Sequence, residues 1–161
     1  MSVVLHELGH ATVARRNGMD ISGITLWMFG GVASLKGEMP SAGAEFRIAA
    51  AGPLVTVVII AACYAGGVAI VGSTEFADAA ALKANSDASS AAVLLGWLMN
   101  INLFVLAVNL IPAYPLDGGR ILRAIAWWRT GDRNRATRFA ARLGRAFGFM
   151  MIAAGVAWMF T

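Results

Sequence analysis

The chain has 161 residues, of which 58% are hydrophobic and only 14% charged, with a formal net charge of +4. A soluble domain typically carries about 25% charged residues, so this composition excludes an ordinary water-soluble globule, a disordered tail and a nucleic-acid-binding module. One cysteine, Cys63, excludes an intrachain disulfide framework and any multi-cysteine zinc knuckle.

In chain order, the opening stretch Met1–Ala14 is apolar except for His6, Glu7 and His10. It reads as the second half of a membrane helix and not as a signal peptide, because it has no basic lead and its apolar run is interrupted early. The segment from Ile21 to Leu35 mixes β-branched and aromatic residues around Gly30-Gly31, which predicts a short hairpin with the glycines at the turn. Open backbone cannot face lipid, so that hairpin belongs at the interface or against helices.

Two uncharged runs follow, 48–74 and 88–116. Each exceeds the roughly 20 apolar residues that a spanning helix needs. Pro53 falls early in the first span, tolerable there near the first turns or as a kink, and Pro112 and Pro115 end the second helix. Between the runs, Glu75–Ser90 reads as a loop with a short surface helix. A third uncharged run, 146–161, becomes a span if its helix starts further back, near Arg138. Eight of the 13 basic residues lie between Arg120 and Arg145. By the positive-inside rule, residues 15–47 and 117–145 face the cytoplasm and 75–88 faces out.

The chemistry sits in His6-Glu7-Leu8-Gly9-His10, an H-E-x-x-H motif holding the only two histidines of the chain. On a helix, positions i and i+4 share a face, so both imidazoles reach one ion. Glu7 lies beside them, placed to take a proton from water made acidic by zinc. Ionisable groups in an apolar stretch are costly and usually functional; the alternatives are buried structural histidines or haem ligation. A three-liganded site needs one more donor, and a carboxylate must supply it. Asp117 is the candidate, with an N-cap aspartate at the membrane surface as the competing reading. Asn102 and Asn109 share a helix face; each is either an oxyanion donor or glue between helices.

Taken in order, HELGHATVARR, TLWMFGGVASL, AAAGPLV and NLIPAYPLDGGR resemble the site-2 protease family of intramembrane zinc metalloproteases, over nearly the whole chain. Within it, the chain most resembles the bacterial and archaeal branch that carries CBS domains. The resemblance implies one zinc per chain, held by His6, His10 and Asp117, with Glu7 as catalytic acid/base and Asn109 beside the active site. It implies that the Gly30-Gly31 hairpin holds an extended substrate. It also implies a single membrane-embedded core over 1–161, read as lacking one membrane helix before it, another after it, and the CBS domains. The expected fold is an all-α polytopic membrane protein with a short β-hairpin or sheet near the active site. The expected activity is zinc-dependent intramembrane cleavage of membrane-anchored proteins such as transcription regulators, anti-sigma factors or remnant signal peptides. The expected location is the cell membrane, multi-pass, with the active site toward the cytoplasm. Its partners are then the bilayer and a membrane-anchored substrate, with no nucleic acid and no oligomeric state implied. Two rivals stand: a membrane protein that binds zinc and a partner without cleaving it, and a soluble zincin.

Overall fold

A computed structural model describes residues 2–27, 30–36, 39–83 and 89–160. Its elements are α1 (Ser2–Arg16), β1 (Asp20–Trp27), β2 (Gly30–Lys36), α2 (Ala42–Val71), α3 (Ser73–Ala80), α4 (Ser90–Asn109), α5 (Asp117–Thr130) and α6 (Arg133–Trp158). Among the described residues three helices, α2, α4 and α6, are long and apolar enough to cross a membrane. Their large side chains, including Leu54, Val58, Leu94, Phe104 and Phe149, are exposed. Apolar surface of that extent suits lipid and not water.

Helix α2 is the hub, packed against α1, α4 and α5. It starts earlier than the uncharged run suggests. Ser41 caps it by accepting from the Ala44 N–H at 3.1 Å, and Glu45 and Arg47 lie inside it. Pro53 is therefore a mid-helix proline and not a first-turn one. Its missing N–H leaves a gap in the hydrogen-bond ladder one turn back. Close approach of α1 to α2 depends on Gly9, where a Cβ would lie 3.0 Å from the Ala51 carbonyl oxygen. Ala14, Met19 and Ile48 form the small apolar cluster beneath this contact.

The stretch after α2, read as a loop with a short surface helix, does contain one, α3, whose Phe76 is fully buried and rests on Gly67 of α2. Residues 84–88 of that stretch lie outside the described residues. Helix α6 begins at Arg133, five residues before the expected Arg138, because Asp132 caps it: its Oδ1 accepts from the Asn134 and Arg135 N–H groups at 2.8 and 3.0 Å.

The expected fold class needs correction in its second half. The body of the protein is helical. Extended pairing is confined to a two-stranded antiparallel ribbon, β1 with β2, lying against α1. A lone pair of strands is marginally stable by itself, so the helices carry the fold. Gly30 and Gly31 are not the turn either. They open β2, paired opposite Trp27 and Leu26, and residues 28 and 29 lie outside the described residues.

Candidate metal centre

Helix α1 places His6 and His10 one turn apart, with Glu7 beside them, and all three are buried. The ring planes of the histidines stand at 77° with centroids 4.8 Å apart. Helix α5 begins at Asp117, also buried, which sits at the positive end of its helix dipole. Its Oδ2 lies 3.0 Å from His6 Nε2 and 3.2 Å from His10 Nε2, while the two Nε2 atoms are 3.1 Å apart.

Helix α2 orients both rings from behind. The Thr56 hydroxyl donates to the Gly52 carbonyl at 3.2 Å, which leaves its lone pair to accept from His6 Nδ1 at 2.8 Å. His10 Nδ1 donates to the Ile48 carbonyl at 2.6 Å. With Nδ1 protonated on both rings, each neutral imidazole turns a bare Nε2 lone pair toward Asp117. Three electron-rich atoms then converge on one point, and only positive charge between them relieves the repulsion. A zinc ion about 2.0–2.1 Å from each of three tetrahedral donors holds them roughly 3.3 Å apart. The observed triangle is close to that, so this donor set fits a divalent metal. Fixing a ligand histidine through its other ring nitrogen is the usual outer-shell arrangement.

Protons are the other source of positive charge. Burial alone pushes the Asp117 carboxyl up, but hydrogen bonds to and electrostatic attraction from His10 and His6 outweigh it and hold it at about 2. With either proton or metal, Asp117 is an anion, and α5 lies outside the three membrane-capable helices.

Two carboxylates compete for the third position. Ligand atoms of His6, Glu7 and His10 lie within 4.8 Å of one another. Asp117 Oδ2 lies 3.0 and 3.2 Å from the two histidine Nε2 atoms. The segment before Asp117 is packed tightly onto the first turn of α5. A Cβ on Gly118 would lie 2.5 Å from the Ile111 carbonyl oxygen, and one on Gly119 would lie 2.5 Å from Tyr114 N. The paired glycines thus serve close approach. The Tyr114–Pro115 peptide in this segment is cis.

Asn109 ends α4, next to Leu110, whose carbonyl rests on Gly118. Its side-chain N–H donates to the Val105 carbonyl at 3.0 Å, within its own helix, and among the described residues it makes no hydrogen bond to the histidine–aspartate group. Asn102 is buried and likewise donates to its own helix, at Leu98. Three contributors escaped the sequence reading: Thr56, the Ile48 carbonyl and Gly52. A Cβ on Gly52 would lie 2.5 Å from His6 Nε2 and closer still to His10 Nε2. Gly52-Pro53 in an apolar helix, with a threonine one turn on, is the one signal that pointed there.

A helical membrane protein with H-E-x-x-H facing a buried carboxylate falls in the class of intramembrane metallopeptidase folds. The model of peptidase family M50 matches residues 1–151. The chain belongs to that family, the site-2 protease family whose motifs it carries. It is 40% identical over 159 residues to Rip3 of Mycobacterium tuberculosis, covering 97% of this chain and 37% of Rip3. It is 39% identical over 156 residues to zinc metalloprotease MJ0392 of Methanocaldococcus jannaschii, covering 97% of this chain and 41% of that protein. Among solved structures, the site-2 protease from Methanocaldococcus jannaschii superposes with a TM-score of 0.65 at 36% identity, covering 98% of this chain and 65% of that one. The chain thus spans about two fifths of the length of the curated relatives it matches.

Proposed function

We propose that this chain is the membrane-embedded core, over 1–161, of a zinc-dependent endopeptidase that cleaves membrane-anchored proteins. The observation that carries it is the convergence of His6 Nε2, His10 Nε2 and Asp117 Oδ2 within 3.0–3.2 Å of one another. In this reading those three residues hold one zinc, which when bound supplies a Lewis acid that acidifies water and polarises the peptide carbonyl. Thr56 and Ile48 keep both imidazoles in the tautomer that offers Nε2. Glu7 takes the proton of the attacking water and delivers it to the leaving amine. Asn109 donates its second amide N–H to the carbonyl oxygen as that oxygen becomes negative. A helical substrate must first unwind, because its carbonyls are occupied by i→i+4 bonds.

Metal analysis of the purified full-length protein tests the ligand set. One zinc per chain is expected. His6→Ala or His10→Ala should remove it, and Asp117→Asn should weaken it markedly, since two protein ligands rarely hold zinc against competition. Asn109→Leu should keep the zinc and slow cleavage about 10²–10³-fold. Unchanged stoichiometry and affinity in Asp117→Asn would place the third ligand elsewhere.

The same reading puts the site toward the cytoplasm. Its support is the arginine-rich stretch from Arg120 to Arg145, against Glu75 and Asp78 between α2 and α4. A cysteine at position 78 should react with an impermeant maleimide from outside the cell, and cysteines in 120–145 only after permeabilisation. The reverse pattern would overturn the orientation.

A further inference from the structure

We propose that the buried ion pair between Glu45 of α2 and Arg123 of α5 positions Asp117 against the two histidines, a role that rests on the metal-site reading above. Glu45 is fully buried and Arg123 is 9% exposed. Arg123 donates to Glu45 Oε1 from Nε at 2.7 Å and also from Nη2. Glu45 Oε2 is buried and has no partner among the described residues.

Such a pair is poorly explained by stability. Stripping water from two charges costs several kcal/mol per ion, and apolar side chains of the same shape often serve a fold at least as well. What a charge-assisted hydrogen bond adds is direction. Here the direction it fixes is that of α5 relative to α2.

The placement of the pair gives that direction its use. Glu45, Ile48, Gly52 and Thr56 follow one another along one face of α2. Ile48 and Thr56 fix the two imidazoles, and Gly52 lies under both Nε2 atoms. Glu45, at the start of the same face, fixes α5. Asp117 is the first residue of α5, six residues and about 9 Å of helix before Arg123. A slide of α5 along α2 would therefore shift Asp117 relative to the histidines that α2 holds. The guanidinium of Arg123 also sits 5.3 Å from the ring centroid of Tyr114, three residues before Asp117. Both flanks of Asp117 are thus referred to one cation. Among the described residues the Asp117 carboxylate hydrogen-bonds only to His6 and His10, the groups it must be aligned with. Its alignment has to come from elsewhere. Glu45 and Arg123 are positioning residues, not catalytic ones.

The test uses the full-length protein in detergent and reads three quantities: zinc affinity by chelator competition, the visible spectrum of the cobalt-substituted protein, and the unfolding temperature. The informative variant is the apolar pair Glu45→Leu with Arg123→Met, backed by Arg123→Lys and Glu45→Gln. The apolar pair should unfold near the wild-type temperature yet bind zinc at least 10-fold more weakly, the scale for lost outer-shell support, with an altered cobalt spectrum. Arg123→Lys should recover part of that affinity. Wild-type affinity and spectrum in the apolar pair would overturn the proposal and leave the ion pair purely structural. Should the apolar pair not fold, wild-type affinity in both Arg123→Lys and Glu45→Gln would overturn it equally. A wild-type protein that binds no zinc would instead bring down the metal-site reading itself, and this proposal with it.

Discussion

Glu7→Gln is expected to keep one zinc per chain and to cleave about 10²–10⁴-fold more slowly, the usual scale for a lost general acid/base. Glu7 follows His6 directly but points about 100° around the helix from it. In the proposed ligand set the third donor is Asp117, whose Oδ2 is 3.0 and 3.2 Å from the histidine nitrogens. Glu7 is buried beside them, its ligand atom within 4.8 Å of theirs. Gln keeps the size and the hydrogen bonding of Glu but cannot accept a proton. Metal content and turnover should therefore separate. The measurement pairs zinc analysis with cleavage of a membrane-anchored model substrate by the full-length protein. Cleavage at near the wild-type rate would sink the proposed mechanism even with zinc bound. Zinc lost together with activity would make Glu7 a ligand, contrary to the geometry.

Hydropathy and charge made the two long membrane helices legible, and the H-E-x-x-H spacing located half of the metal centre. The rest needs distances between residues far apart in sequence. The sequence separation of 111 between His6 and Asp117 hides their 3.0 Å contact. Read alone, Asp117 fits a helix cap as well as a ligand, and in the structure it does stand at a helix start. The Ile48 carbonyl that orients His10 has no signature at all, because every residue has a carbonyl. Glu45 illustrates the limit of counting charges. It lies before the uncharged run that begins at 48, yet it sits within α2, paired with Arg123 from 78 positions away. The hairpin shows the opposite error. Gly30-Gly31 looked like a turn, but glycine is also admitted in an edge ribbon, and the pairing register puts both inside β2.

Gly52→Val is expected to empty the metal centre while leaving the membrane fold in place. At Gly52 a Cβ falls 2.5 Å from His6 Nε2 and 2.7 Å from His10 Cε1, and nearer still to His10 Nε2. Real Cβ contacts do not come under 3.0 Å, so something must move. Neither ring can move cheaply, because α2 itself holds them by Thr56 and by the Ile48 carbonyl. Nor can α2 withdraw from α1, since Gly9 seats the two helices at Ala51, one residue before Gly52. The strain is relieved by swinging the imidazoles off their Nδ1 partners, which turns both Nε2 atoms away from Asp117. Overpacking of this kind typically costs about 1–3 kcal/mol, which a membrane bundle tolerates. The loss of two aligned donors is not tolerated by the metal. Zinc content should fall below about a tenth of wild type, since two or fewer protein donors rarely retain it. Gly66→Ala in the same helix is the control. Its Cβ would meet only Leu95 Cδ1, at an ordinary 3.5 Å. That variant should keep its zinc and gain up to about 1 kcal/mol from helix propensity. Full zinc in Gly52→Val would mean that the histidines do not face α2 at Gly52, and the arrangement of the centre would have to be redrawn.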